Sequence, residues 1–317
     1  MAKRTKYLKP EDRRILTADV LASKRISPNF VRVTIGGNEL ADYTPMGFDQ
    51  WFRLFMPGRN GLRLPTAASN LWYAQYLMMG KDHRPLVRNY TVREHRAAGA
   101  GTFGTTAEID IDFAMHGDHT PACGWASACE PGSTVGLLDE GITYQPPEHT
   151  TWSLLAGDES ALPAIAGILK SAPRDLQGAV YVEIAHADDT QDLNEPEGVH
   201  VDWLVRSDPD TEVGTLVTEA VRAANLPGDA TYGWVAGEQK LASGLRRHLV
   251  NDRGVPKADV TFTGYWRIGK AQAELAVSAR PPAIRPAIGS AGDGAPRGCT
   301  SCAACPRVRR ACDTLTG

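Results

Sequence analysis

Hydrophobic and polar positions along this chain follow two rhythms. In the first half, short runs rich in Val, Ile, Thr and aromatic residues recur at 15–21, 30–35, 51–56, 88–93, 107–115 and 134–138, and each reads as a strand. The run Glu108-Ile109-Asp110-Ile111-Asp112-Phe113 alternates polar and apolar residues, the period of a strand with one wet face. Turn signals separate these runs, among them Gly36-Gly37, Pro57-Gly58 and Pro131-Gly132. Six or so short strands punctuated in this way predict a small antiparallel barrel. Residues 58–87 break the rhythm and read as an inserted loop carrying a short helix.

After about residue 148 the period lengthens. Apolar strands are predicted at 152–157, 178–185, 198–205, 231–237 and 260–265, with helices at 161–171, 212–225 and 241–251. Strands alternating with helices predict βαβ units and a parallel sheet covered on both faces. The expected organisation is a barrel over 1–147, a parallel-sheet α/β domain over 148–270 and a tail over 271–317, with the boundary near Pro146-Pro147. The tail is biased toward Pro, Gly, Ala and Arg and promises no packed core.

At 317 residues the chain is about twice a typical domain, which agrees with two domains. Hydrophobic residues at 42% and charged residues at 22% exclude wholesale disorder, a collagen-like fibre and a polytopic membrane protein. A net charge of −3 argues against a general nucleic-acid binder. No apolar stretch follows the basic N-terminal residues, so no secretory signal is expected, and the chain reads as soluble and cytoplasmic, without membrane insertion. Cys123 and Cys129 are the only cysteines before the tail, as suits a reducing compartment. Cys299, Cys302, Cys305 and Cys312 crowd the tail, with six residues between the last two rather than the three of a ferredoxin cluster run. A thiolate-held cluster or zinc and a disordered tail both stay open. Elsewhere the histidines show no metal-ligand spacing, and no metal ligand is predicted.

The strongest chemical signal is Arg88-Asn89-Tyr90-Thr91-Val92-Arg93. Period two places Arg88, Tyr90 and Val92 on one face of a strand and Thr91 on the other. A flat aromatic ring can cover a flavin ring system, and an Arg can neutralise a pyrophosphate. An ordinary strand with a packed Tyr and a solvated Arg would carry the same residues.

Four segments together resemble the siderophore-interacting protein family, flavin-dependent ferric siderophore reductases with the ferredoxin-reductase-like architecture. They are Arg88–Arg93; Asp112-Phe113-Ala114-Met115-His116-Gly117-Asp118 with Pro121-Ala122, Trp125-Ala126 and Glu130-Pro131-Gly132; Leu155-Ala156-Gly157-Asp158-Glu159-Ser160-Ala161-Leu162-Pro163-Ala164; and Trp234-Val235-Ala236-Gly237-Glu238 with Gly264-Tyr265-Trp266-Arg267. The resemblance implies that Arg88, Tyr90, Thr91 and Val92 bind FAD, with Tyr90 against the ring system and Arg88 near the phosphates. Phe113, Met115 and His116 would line the ribityl and pyrophosphate path. Thr120, Pro121 and Ala122 would open a helix whose amides cradle the pyrophosphate, with Trp125 beside it. Cys123 stands where the family usually has a small hydroxyl residue, and it reads as a small buried apolar side chain.

Gly157, Asp158 and Glu159, with Gly237 and Glu238, stand where NADPH or NADH would meet the α/β domain. The two carboxylates after Gly157 are equally readable as helix caps. Some family members take electrons from ferredoxin instead. A ferric siderophore would be the substrate, and Arg53, Arg267 and Lys270 would supply cations for it; each is also readable as surface charge. The function implied is FAD-dependent reduction of a ferric siderophore, releasing Fe(II). Two other readings stay open: a siderophore-binding module without reductase activity, and a flavin reductase whose substrate is not iron.

Overall fold

The computed structural model describes residues 7–66, 71–115, 120–208 and 210–269. Its first half is an antiparallel seven-stranded sheet in the order β4-β3-β7-β1-β2-β6-β5. The strands are β1 (Ile15–Ser27), β2 (Phe30–Gly37), β3 (Trp51–Met56), β4 (Leu86–Thr91), β5 (Glu94–Arg96), β6 (Ala107–Ala114) and β7 (Thr134–Gly141). Alternate residues of five strands, including Val33, Phe52, Leu54, Ile109, Ile111 and Leu137, fill the interior of the curled sheet. The inserted segment carries the expected short helix, α1 (Trp72–Met78), whose Trp72 packs edge-on against Phe55 at 5.4 Å between centroids. A second helix, α2 (Pro121–Ala128), buries Ala122, Cys123 and Ala126 against the same core.

One expectation fails in an instructive way. The polar face of β6 is not wet: Glu108, Asp110 and Asp112 are all buried. Arginines from the flanking strands cover it. Arg96 of β5 bonds Asp110 through both terminal nitrogens at 2.8 Å, and Arg32 of β2 grips Asp112 at 2.6 and 2.8 Å. Three residues of β5 were too few to register as a strand in the sequence, so their shielding role was invisible there.

The second half is a five-stranded parallel sheet in the order β10-β9-β8-β11-β12. Its strands are β8 (Trp152–Asp158), β9 (Gln177–Ile184), β10 (Val199–Val205), β11 (Thr231–Glu238) and β12 (Val260–Trp266). The helices are α3 (Leu162–Ser171), α4 (Thr215–Ala223) and α5 (Gln239–Arg247). Helix α4 starts later than its apolar pattern suggested because Gly214 adopts φ 94°, a left-handed conformation that favours glycine and blocks regular helix before it. Helix α3 is apolar on every side because it is wedged between the parallel sheet and the barrel. A Cβ on Gly167 would lie 2.2 Å from the Phe48 carbonyl oxygen, so only glycine permits this approach.

The two sheets are pinned by buried carboxylates. Asp49 of the barrel accepts hydrogen bonds from the Thr143 and Tyr144 amides, both at 2.9 Å, and from the Trp234 indole of β11 at 3.1 Å. Asp189, beyond β9, accepts from the Ser27 hydroxyl at 2.6 Å and from both Asn29 nitrogens at 2.9 and 2.8 Å. These contacts fix the carboxyl ends of the parallel strands relative to the barrel.

Candidate functional site

On β4, antiparallel pairing sets Tyr90 opposite Phe52 and Arg88 opposite Leu54, so both share the face that carries the barrel's apolar side chains. Tyr90 lies 4.2 Å from Phe113 between ring centroids, and Phe113 lies 5.9 Å from Trp125. The three rings form a ledge running from β4 across β6 to α2. Val92 and Met115 pack into the same cluster, and Thr91 is buried on the opposite side of β4. Burial pushes the Tyr90 hydroxyl pKa far upward, so it stays a neutral phenol.

Arg88 stands beside this ledge, half-buried, and donates to the Val87 carbonyl at 2.7 Å. Burial lowers its pKa, and the groups that oppose the shift are Tyr90, Tyr76 and Cys123, none of them a carboxylate. Arg32, Arg93 and Arg96 of the polar face each have an acid against them; Arg88, on the apolar face, has none among the described residues. Close by, α2 begins at Thr120, whose hydroxyl accepts from the Cys123 amide at 3.3 Å, with Pro121 in the first turn and no acidic residue there. Cys123 is buried and its thiol points at the Ala114 carbonyl, 3.7 Å away. A half-buried cation without a counter-ion, a stacked aromatic ledge and a helix start without acid are what a flavin dinucleotide needs, and these residues fit FAD. His116 lies outside the described residues.

At the carboxyl edge of the parallel sheet, the sequence-predicted residues do come together. The β8 and β11 ends are neighbours at the point where strand order reverses, the usual ligand crevice of such sheets. Asp158 is fully buried and accepts from the Glu238 amide at 2.6 Å, the Ser160 amide at 2.9 Å and the Trp266 indole at 3.1 Å. Gly237 makes this possible: at φ 132° a Cβ there would sit 2.5 Å from the Asp158 carboxylate. Burial, reinforced by the neighbouring Glu159, pushes the Asp158 pKa up to about 7.

Two residues that the motif reading missed complete this edge. Glu183 of β9, with no exposure, accepts from the Gly214 and Val217 amides at 2.8 and 3.1 Å and from Arg206 at 2.9 Å. Arg206 also bonds both Glu159 oxygens, at 2.8 and 2.9 Å. Glu238 in turn accepts from the Lys240 amide and, at 3.2 Å, from the Leu241 amide. The starts of α4 and α5, and of the 3-10 turn (Glu159–Ala161) that leads into α3, are thus taken by carboxylates of the chain itself. The signal for Glu183 was legible: one acid inside the apolar run Val180-Tyr181-Val182-Glu183-Ile184 must have buried partners. For the pyrophosphate of a nicotinamide dinucleotide, these helix starts do not fit.

Of the expected substrate cations, Arg53 is a correction to the expected geometry. It lies on the outer face of β3, buried, with Nε 2.7 Å from Glu140 and its guanidinium between Trp51 and Trp72 at 5.5 and 5.1 Å. Strand alternation puts it on the opposite face from Phe52, and so from Tyr90 and Arg88. Arg267 is exposed just beyond β12, next to the Trp266 that Asp158 holds. Lys270 lies outside the described residues, as do the four tail cysteines. Among the described residues no group of three or more His, Cys, Asp or Glu side chains is placed to hold a metal ion, and no helix is long and apolar enough to cross a membrane.

Residues 19–143 match the siderophore-interacting FAD-binding domain, and residues 150–269 match the siderophore-interacting protein family. Ferric vibriobactin reductase ViuB of Vibrio cholerae is 31% identical over 258 residues, covering 80% of this chain and 89% of the relative. The ferric acinetobactin reductase of Acinetobacter baumannii is 26% identical, covering 67% and 74%. The crystal structure of the siderophore-interacting protein SipS from Aeromonas hydrophila superposes with a TM-score of 0.68 at 27% identity, over 84% of this chain and 96% of that one. These matches place this chain in the siderophore-interacting protein family.

Proposed function

We propose that this protein is an FAD-dependent ferric siderophore reductase that releases Fe(II) in the cytoplasm. The observation that carries the reading is Arg88, a half-buried guanidinium with no acid against it among the described residues, beside the Tyr90–Phe113–Trp125 ledge. Bound FAD supplies the means of passing a two-electron donor's equivalents on one at a time. The chain's own residues do the rest. Tyr90, Thr91 and Val92 would set the ring system against β4, while Arg88 and the amides after Thr120 would hold the phosphates. Arg267 would draw an anionic chelate toward the flavin edge. Arg53 serves indirectly in this scheme: held by Glu140, it donates to the Asn89 side chain at 3.4 Å and braces β4 from behind. Siderophore oxygens grip hard Fe(III) far better than Fe(II), so gain of one electron by the iron loosens the chelate. Of the expected donors, NADPH, NADH and a ferredoxin, the misfit of the helix starts to a dinucleotide favours a ferredoxin.

Purified protein should be yellow. With dithionite as reductant it should convert a ferric siderophore to Fe(II) captured by a ferrous chelator. Colourless protein that binds the chelate would favour a binding module. Yellow protein that reduces other acceptors while leaving ferric chelates intact would favour a flavin reductase with a non-iron substrate.

A further inference from the structure

We propose that the α/β domain of this chain is closed to nicotinamide dinucleotides, because its own buried carboxylates occupy the places where their phosphates would bind. The inference rests on the reductase reading only in taking the carboxyl edge of the parallel sheet as the approach for a dinucleotide donor. A dinucleotide docks on such a sheet through helix-start amides and, when it carries a 2′-phosphate, through a free arginine. Here the amides are spent. Asp158 takes the Ser160 amide at the entry to α3, Glu183 takes the Gly214 and Val217 amides at α4, and Glu238 takes the Lys240 and Leu241 amides at α5.

Arg206 is spent too. Arg206 makes three bonds of 2.8–2.9 Å, to Glu159 and Glu183. Lys240 is paired with Glu212 at 3.0 Å. The loops leaving β9 and β10 add exposed Asp188, Asp208, Asp210 and Glu212. An incoming pyrophosphate would meet like charge in place of donors, and buried carboxylates are weakly screened by salt. The same acids cap helix starts and hold Arg206, so the exclusion is part of the domain's own hydrogen bonding.

Titration calorimetry on the FAD-loaded protein tests this with NADP⁺, NAD⁺ and 2′,5′-ADP as probes. The expected result is no saturation, with any Kd above about 1 mM. Saturable binding of any of the three below that limit would overturn the proposal. The second arm is Glu159→Gln, which removes one of the two charges on Arg206 and keeps a hydrogen-bonding side chain. This variant should bind 2′,5′-ADP saturably, at least tenfold tighter than the wild-type limit. Should it fail to fold, Asp158→Asn with NAD⁺ makes the same comparison. A folded variant that still ignores its probe would overturn the proposal, because the carboxylates would not be the excluding groups. Failure of the reductase reading shows separately, as a dithionite-reduced protein that leaves ferric chelates unreduced.

Discussion

Two kinds of helix start face the interior of this molecule. Helix α2 of the barrel begins at a neutral Thr120, with no acid in its first turn and an arginine without a counter-ion nearby. Asp158 caps the short 3-10 turn that leads into α3, Glu183 reaches from β9 to cap α4, and Glu238 caps α5; all three are buried and hydrogen-bonded to the amides they cap. The physics is the same at each, since unsatisfied amides and the helix dipole both favour negative charge. The difference lies in who supplies that charge. In the α/β domain the chain supplies it; at α2 the described residues supply none, which leaves room for an anionic ligand.

The largest expected effect tests the closed side. Glu183→Ala would leave Arg206 with half of its counter-charge and α4 without its cap, and should cost about 3–5 kcal/mol of stability. A urea midpoint close to wild type would mean that this carboxylate is dispensable and that the comparison fails. Nearly as large is a pH effect at Asp158. Its folded pKa of about 7 lies above the ordinary carboxylate value, so the folded protein holds a proton that the unfolded chain releases between about pH 4 and 7. Stability therefore falls as pH rises through that window and levels off above it. Asp158→Asn lacks this loss, and the variant should gain on wild type by roughly 2–4 kcal/mol between pH 4 and 7.5. A pH-independent difference would place Asp158 as ionised throughout.

On the open side, Arg88→Ala should weaken FAD about 100-fold, roughly 2.8 kcal/mol, while Arg88→Lys should lose less because it keeps the charge and forfeits only the planar fork. Flavin content of the purified variants and fluorescence titration of the apoproteins measure both. Wild-type affinity in Arg88→Ala would remove the observation on which the FAD geometry rests.

Much of this was readable before any coordinates. Period-two runs gave six barrel strands, and the β/α alternation gave the parallel sheet, because a buried strand has to be apolar over its whole length. Part of the aromatic ledge was legible from strand geometry alone, since period two puts Tyr90 and Arg88 on one face. What the sequence hid were pairings distant along the chain. Arg53 looked like a free cation, since its partner Glu140 is eighty-seven residues away and Trp72 comes from the inserted helix. Asp158 and Glu159 stood between cap and cofactor contact until Arg206 and Glu238 were placed against them. Charge roles are settled by tertiary partners, which no local pattern carries.

The smallest expected effect goes most directly to the comparison. Thr120→Asp gives α2 the kind of start that the turn leading into α3 already has. Asp and Thr are both good N-caps, with Asp somewhat better, so the apoprotein should melt at the wild-type temperature or slightly above it. The new carboxylate would accept from the Cys123 amide as Thr120 does now, and would set a negative charge where the FAD phosphates are expected. FAD affinity should fall about tenfold, or roughly 1.4 kcal/mol, and the loss should shrink at high salt because Thr120 is exposed. Thr120→Ser, which keeps a neutral cap, should bind FAD as wild type does. Unchanged affinity in Thr120→Asp would mean that the flavin phosphates sit away from α2 and lean on Arg88 alone.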